Sequence, residues 1–277
     1  MRITFLALCT KTEPYINHQK AQEGTWANTK LNLYWLLGNH DQSSSYVLND
    51  RFLSVKVNET FENILEKTLQ SLRWALENEE SDFYIRTNTS TYINVHSLEK
   101  YLEKVESWSE FAAALKGTTN EIRESSGEMF EFLAGNMMIF SRSTVKLLSE
   151  MDSRNYHGIS DDVAISEYLQ KKGVKLTWIS RNEITDYHGF KPNIQHRVKS
   201  WTSASVTAER MYEVHEIYTR FRWQRFRAIL SMSVKEMSRY KTEFRIDSPI
   251  NVMRNINNTI RILTSVAKCL PFILSPK

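Results

Sequence analysis

The sequence SDFYIRTNTSTYIN (residues 81–94) decides the fold that we expect for this chain. Its first part, Asp82–Ile85, combines aromatic and β-branched residues in the manner of a strand that ends at a sheet edge. Six polar residues follow, Arg86–Thr91, most with a hydroxyl or amide group and one with a charge. In an α/β protein, ligands usually bind where a strand runs into such a cluster. We therefore expect a binding site here, although the cluster contains no carboxylate.

Strand-like and helix-like patterns alternate through the first two-thirds of the chain, which predicts an α/β layer architecture. The predicted strands are 3–9, 31–37, 51–57, 82–87, 112–116, 129–133, 136–141 and 174–179. The predicted helices are 14–27, 60–79, 96–107, 141–151 and 160–172.

The clearest predicted helix is 60–79, with Thr60 as its N-cap. Apolar and small residues recur there at three- and four-residue steps and predict one buried face. They are Phe61, Ile64, Leu65, Thr68, Leu69, Leu72 and Ala75.

Composition excludes several classes of protein. The 277 residues are 41% apolar and 25% charged, as in folded proteins with a sizeable core. The two cysteines, Cys9 and Cys269, form neither a disulfide framework nor a spaced metal site, which favours a reducing compartment. No GxxxxGK[ST], HExxH or GxSxG motif is present. The apolar run near the N-terminus is too short to span a bilayer and lacks a cleavage site, so we expect a cytoplasmic protein.

Charge is distributed unevenly. Residues 219–277 contain 12 Lys and Arg against 3 Asp and Glu, whereas the preceding 218 residues carry 24 basic and 29 acidic side chains. This change predicts a boundary near 200–220. Aromatic residues between the arginines of TRFRWQRFRAIL (219–230) are typical of a segment on an anionic membrane surface, and equally of a helix packed on the main domain. The acidic body and the absence of a recognition motif disfavour nucleic-acid binding.

Five stretches of the chain follow one another in the order and with the approximate spacing of motifs in a known family. They are HQKAQEGTWA (18–27), ENILEKTLQSLRWAL (62–76), DFYIRTNTSTYIN (82–94), FLAGNMMIFSRSTVKLL (132–148) and ISDDVAISEYLQKKGV (159–174). Together they resemble segments of the β-1,3-galactosyltransferase and Fringe-like family, glycosyltransferase family 31. The resemblance implies a GT-A fold, a Rossmann-like nucleotide-sugar domain that we expect over residues 1–200. A basic helical segment would follow over 201–277.

The resemblance raises the question of a metal. In the family, an acidic triplet holds a divalent cation against the diphosphate of a UDP-sugar, but the matching position here reads Asn88-Thr89-Ser90. Hard cations such as Mg²⁺ or Mn²⁺ require carboxylate oxygens, which these residues lack. Three explanations remain open: a metal-independent enzyme, an inactive relative that still binds a sugar or nucleotide, or a metal held elsewhere. We assign no metal ligand.

Cationic residues follow the acidic motif and are candidates to replace a metal. The segment DYHGFKPNIQHRVK (186–199) contains His188, Lys191, His196, Arg197 and Lys199. A histidine in this region completes the metal site of the family, and His188 matches it. Lys191 and Arg197 are the predicted contacts to donor phosphates. The amide and hydroxyl groups of the 87–91 loop would hydrogen-bond the donor directly; the predicted contacts there are Thr87, Asn88 and Ser90.

The acidic pair Asp161-Asp162 is the predicted catalytic site. In the family the Asp before Val acts as the base, which here is Asp162. Acids in the first turn of a helix are also favoured by the helix dipole alone. On the acceptor side we predict Gly135, where the backbone would approach closely, and Trp201, which would stack on a sugar ring.

The sequence thus predicts an inverting glycosyltransferase that moves galactose or N-acetylglucosamine from a UDP-sugar to a glycan or lipid-linked glycan, forming a β linkage. We expect a role in polysaccharide biosynthesis at the inner face of a membrane. The alternative is a catalytically inactive relative that binds carbohydrate or acts as a scaffold.

Overall fold

The computed structural model describes residues 1–28, 31–106, 108–119, 129–183, 190, 192–200, 203–220, 224, 227–232 and 234–235. The strands are β1 (Ile3–Leu8), β2 (Asn32–Gly38), β3 (Tyr46–Asn49), β4 (Phe52–Val55), β5 (Phe83–Asn88), β6 (Thr91–Ile93), β7 (Ala112–Thr119), β8 (Phe130–Ser141), β9 (Leu176–Trp178), β10 (Asn182–Glu183) and β11 (Gln195–Arg197). The α-helices are α1 (Tyr15–Glu23), α2 (Ile64–Asn78), α3 (Val95–Leu102), α4 (Arg142–Ser149), α5 (Asp161–Lys171) and α6 (Ala204–Thr219). Short 3₁₀ helices are Trp26–Asn28, Phe61–Asn63 and Ser153–Tyr156.

The chain divides into two units. The first comprises Met1–Gln19, Thr29–Thr89 and Lys100–Ser180, and the second comprises Lys20–Asn28, Ser90–Glu99 and Arg181–Lys277. The predicted boundary near residue 200 and the basic helical segment stay predictions, because residues 236–277 lie outside those described.

The first unit contains an eight-stranded mixed sheet in the order β3-β4-β2-β1-β5-β8-β7-β9. β1 pairs in parallel with both β2 and β5, so the carboxyl ends of these strands lie at one edge of the sheet. β8 runs antiparallel to β5, with Thr87 opposite Met137. This register brings the middle of β8 to the carboxyl end of β5. The α/β prediction is confirmed.

Helices α2, α4 and α5 cover one face of this sheet and share its hydrophobic core. Leu65, Leu69 and Leu72 form the buried stripe of α2 at helical spacing. In α5 the corresponding buried residues include Val163, Ile165 and Leu169. Gly173 follows α5 with φ 83°, a left-handed conformation that glycine adopts readily and that ends the helix.

Two predictions about these elements are wrong in detail. Phe61 was expected on the buried face of the helix, but its side chain is 74% exposed. It lies in a 3₁₀ turn before α2, whose three-residue period does not continue the stripe of an α-helix. The predicted strands 129–133 and 136–141 form the single strand β8. β8 pairs with β7 on both sides of a register shift between Ala114 and Lys116. The break predicted between the two strands is therefore an irregularity within β8.

The second unit contains a three-stranded sheet in the order β10-β11-β6. β11 pairs in parallel with β10 and antiparallel with β6. These three strands are two or three residues long. Such short strands carry too few residues for a periodic signal, so β10 and β11 were not predicted, whereas the stretch 81–94 indicated an extended piece before a helix where β6 lies.

Candidate active site

The loop after β5 is polar but only partly accessible. The hydroxyl of Thr87 donates to the carbonyl of Asn136 at 2.8 Å, and the Thr87 side chain is fully buried. Because this hydroxyl is buried and already hydrogen-bonded to β8, it is not available to a nucleotide-sugar donor, contrary to the prediction. Asn88 is half-buried at the end of β5, while Thr89 is 1% exposed. Asn88 thus remains the predicted donor contact of this loop in the first unit.

Asp161 begins α5 and pairs with an arginine of β5. Arg86 Nη2 donates to Asp161 Oδ2 at 2.5 Å, with 3% of the arginine side chain and 10% of the aspartate side chain exposed. Burial raises the pKa of the Asp161 carboxyl; the Arg86 cation opposes this rise, and the Asp162 carboxylate adds to it. Asp161 is thus largely buried in an ion pair. This environment suits a residue that holds the first turn of α5 better than one that contacts a substrate.

Asp162 is half-buried and is held by backbone groups. Its Oδ2 accepts from the amide of Gly135 at 2.9 Å, and its Oδ1 accepts from the amide of Val163 at 3.0 Å. A carboxylate oriented by two N–H donors is a preorganised acceptor for a proton. Asp162 is therefore oriented by backbone amides, whereas Asp161 is held by the ion pair with Arg86.

Gly135 lies directly against the acidic pair. A Cβ built on this residue would lie 3.0 Å from Asp162 Oδ2 and 3.1 Å from Arg86 Nη1. Any side chain here would displace one of these groups. Glycine thus suits the close approach of this backbone to both side chains, while contact with an acceptor stays a prediction.

A helix N-terminus alone does not account for these contacts. Ser160 has the extended backbone of an N-cap but makes no side-chain capping bond. Asp161 instead reaches β5, and Asp162 reaches β8. The two acids therefore do more than complement the dipole of α5, because they join its first turn to two strands of the sheet.

A second buried cation, Lys67 on α2, was missed by the sequence analysis. Its Nζ donates to the carbonyl of Cys9 at 3.0 Å and pairs with Glu59 Oε1 at 2.5 Å, and the lysine side chain is 4% exposed. Glu59 Oε2 accepts from the amide of Gly38 at 2.5 Å. Lys67 and Glu59 therefore tie together the carboxyl ends of β1 and β2. A lysine among the buried positions of an amphipathic helix was the signal that could have found this pair.

The second unit contains part of the predicted cationic run. Arg197 lies on β11 and is half-buried. Burial lowers the pKa of the Lys199 amine, and the nearby Arg197 cation lowers it further. The predicted contact of Arg197 with a donor phosphate stays a prediction. His188, Lys191 and Trp201 lie outside the described residues. Ser90, in this unit, is half-buried.

His196 does not belong to this cationic run. It is fully buried, with Nδ1 3.1 Å from Asn182 Oδ1 and Nε2 2.8 Å from the Tyr218 hydroxyl. Burial lowers the pKa of its imidazole to about 3. His196 is thus neutral at ordinary pH, and its inclusion among candidate cations was wrong.

The residues of the matched loop do not suit a divalent metal. Asn88, Thr89 and Ser90 offer no carboxylate oxygen. Across the described ranges, no group of three or more His, Cys, Asp or Glu side chains is placed to hold a metal ion. A metal at this position would therefore lack its usual ligands.

Comparison with known proteins identifies the family. The model of the galactosyltransferase family matches residues 17–179, more than half of the chain. The chain belongs to the galactosyltransferase family. This membership supports glycosyl transfer as its reaction. No curated protein matches the chain by sequence.

Comparison with solved structures finds a glycosyltransferase of similar fold. A glycosyltransferase involved in the glycosylation of the major capsid of PBCV-1 matches with a TM-score of 0.50 at 10% identity, over 76% of this chain and 99% of that one. The galactosyltransferase LgtC, in complex with donor and acceptor sugar analogs, matches with a TM-score of 0.45 at 13% identity. The match covers 78% of this chain and 95% of LgtC. The architecture is that of a GT-A glycosyltransferase.

The described helices include none that is both long enough and apolar enough to cross a bilayer. Most of the basic segment predicted to lie on a membrane surface is outside the described residues.

Proposed function

We propose that this galactosyltransferase-family protein is an inverting enzyme of the β-1,3-galactosyltransferase and Fringe-like branch. It would transfer galactose or N-acetylglucosamine from a UDP-sugar to a glycan acceptor and form a β linkage. The observation that carries the proposal is the half-buried Asp162 carboxylate, fixed by the amides of Gly135 and Val163 beside the carboxyl end of β5.

Asp162 would act as the general base. It takes the proton of an acceptor hydroxyl while the hydroxyl oxygen attacks the anomeric carbon of the donor. The bond between that carbon and the phosphate oxygen breaks, and UDP leaves with the bonding electrons. One in-line displacement inverts an α-linked donor into a β-linked product. Base catalysis by a positioned carboxylate contributes about 10²–10⁴-fold.

The leaving diphosphate needs positive charge, and side-chain cations would supply it in place of a metal. Arg197 and Lys199 are the described candidates, supported by their mutual proximity in the second unit. His188 and Lys191 remain candidates from the sequence. Asn88 and Ser90 would hydrogen-bond the donor through neutral groups, and Trp201 would stack on the acceptor sugar.

The acceptor would be a surface polysaccharide or its lipid-linked precursor. Support for this comes from the basic segment 219–277, where aromatic residues alternate with arginines. A peripheral location on the inner face of a membrane would bring the enzyme to such acceptors.

The sharpest test compares Asp162→Asn with Glu167→Gln, a control on the same helix. Glu167 pairs with Lys171 at 2.9 Å. Transfer from UDP-galactose and UDP-N-acetylglucosamine to a panel of p-nitrophenyl glycosides is measured by UDP release. Asp162→Asn should lower kcat by at least about 10²-fold with little change in donor KM. Glu167→Gln should behave as the parent. Near-normal turnover by Asp162→Asn would remove Asp162 as the base.

The rival function is a catalytically inactive relative that binds carbohydrate or nucleotide. The absence of carboxylates at 88–90 favours it. It predicts that the parent protein binds UDP in calorimetry but releases no UDP from either donor with any acceptor.

A further inference from the structure

Arg86 is enclosed in the first unit, although the side chain carries a charge. It is 3% exposed and directly follows the buried residues Phe83–Ile85 of β5. Its Nη2 pairs with Asp161, whereas its Nε and Nη1 have no hydrogen-bond partner among the described residues. A guanidinium with two unsatisfied buried N–H groups is unusual, because most buried polar groups are hydrogen-bonded.

The unsatisfied Nη1 of Arg86 and the Asp162 carboxylate both lie against Gly135. The point where a Cβ of Gly135 would lie is 3.1 Å from Arg86 Nη1 and 3.0 Å from Asp162 Oδ2, so these two atoms are at most about 6 Å apart. Arg86 therefore pairs with Asp161, and its Nη1 lies within about 6 Å of the Asp162 carboxylate.

Stability does not explain this arrangement. Replacing a buried ion pair by apolar residues of similar volume is often neutral or stabilising. Each unsatisfied buried N–H adds a further cost. A role in holding the acidic turn of α5 accounts for Arg86 better than a contribution to the core does.

We propose that Arg86 is a positioning residue for Asp162. Its guanidinium holds Asp161 and hence the first turn of α5, and its Nη1 edge, with Gly135, keeps the Asp162 carboxylate in one orientation. The proposal rests on the function proposed above, in which Asp162 is the base. Because the guanidinium is 3% exposed, Arg86 acts through Asp162 and does not contact the substrate.

The kinetic test compares Arg86→Met and Arg86→Lys with the parent, using the UDP-sugar and p-nitrophenyl glycoside pair that gives the fastest transfer. A base displaced by about 1 Å lowers the rate by about 10²-fold, so Arg86→Met should lose about that much kcat while its donor KM stays within about threefold. Arg86→Lys keeps the charge and should recover part of the loss.

A double variant separates positioning from stability. Arg86→Met combined with Asp161→Leu replaces the ion pair by apolar side chains and should unfold in urea at a concentration close to that of the parent. It should nevertheless retain the kcat loss of Arg86→Met. Recovery of kcat in this stable variant would overturn the proposal.

Arg142→Met is the matched control. Arg142 bonds the hydroxyl of Tyr84 at 2.6 Å and the carbonyl of Glu79 at 2.9 Å, at the other end of β5. This variant should lose stability and keep kcat. An equal loss of kcat in both arginine variants would mean that Arg86 is only structural.

Amide hydrogen exchange gives a readout that does not need activity. The amides of Gly135 and Val163 donate to Asp162, so Arg86→Met should speed their exchange and Arg142→Met should not. Unchanged exchange at Gly135 in Arg86→Met would refute the positioning role. If Asp162→Asn is inactive while Arg86→Met is fully active, the positioning role of Arg86 is refuted and the proposed function stands. If Asp162→Asn is active, the proposed function itself is refuted.

Discussion

The two units bury polar side chains in opposite ways. In the first, Arg86 and Asp161 form a charged pair, and two N–H groups of the arginine have no partner among the described residues. In the second, His196 is neutral, and both ring nitrogens lie within hydrogen-bond distance of a partner.

This difference agrees with the positioning role proposed for Arg86 and with a structural role for His196. A satisfied neutral group such as His196 specifies packing at little cost, whereas a charged pair with unused donors costs free energy. The aromatic surroundings of His196 agree with a structural role. Phe190 stacks on its ring at a centroid distance of 5.2 Å, and the Tyr218 ring packs edge-on at 5.4 Å. A buried histidine therefore need not mark a site, whereas the buried Arg86 carries the positioning role proposed above.

Breaking the charged pair should give the largest loss of stability. Asp161→Asn leaves Arg86 buried without its counter-ion, which should lower the free energy of unfolding by about 3–5 kcal/mol. Urea unfolding of the variant and parent at pH 7 measures this. Glu80→Gln is the control, because Glu80 pairs with Arg2 in an exposed ion pair at 2.9 Å, and it should change stability by less than about 1 kcal/mol. Equal small effects would mean that the Arg86–Asp161 pair is well solvated.

Much of the fold could be predicted from the sequence because it depends on local periodicity. The stripe Leu65, Leu69 and Leu72 and the apolar run of β1 each indicate their own element. Phe61 misled the prediction because the same spacing continues into a 3₁₀ turn. The register shift in β8 depends on pairing with β7, which no local pattern records.

The sequence predicted the acids of the site but not their partner, because that contact joins residues that are distant in the chain. The Asp161-Asp162 motif indicated the acids, but their partner Arg86 lies 75 residues earlier in the chain. The sequence around Arg86 gave one signal, a charge inside a buried strand. His196 could not be told from a surface cation, because its burial and its bond to Tyr218 arise only in the folded protein.

The neutral cluster of the second unit should make stability depend on pH. The pKa of His196 is about 3 in the folded protein, below its ordinary value of 6.5, so the unfolded chain binds the proton first as pH falls. Stability is therefore lost as pH falls below 6.5, by up to about 2 kcal/mol at pH 5.

Urea unfolding at pH 6.5 and pH 5 of the parent and of His196→Gln, which cannot titrate, isolates this contribution. The parent should lose about 1.6 kcal/mol more than the variant between these pH values. An identical pH dependence would mean that His196 takes up its proton over the same pH range in the folded and the unfolded protein, and hence that burial does not keep it neutral.

The anomeric configuration of the product tests the central claim most directly. The parent protein is incubated with UDP-galactose or UDP-N-acetylglucosamine and the panel of p-nitrophenyl glycosides in the presence of EDTA, and the new linkage is assigned by proton NMR. The account predicts a β-linked product formed at an undiminished rate, because Asp162 drives a single displacement and the 88–90 loop has no carboxylate for a metal. An α-linked product, or transfer that EDTA abolishes and Mn²⁺ restores, would contradict it.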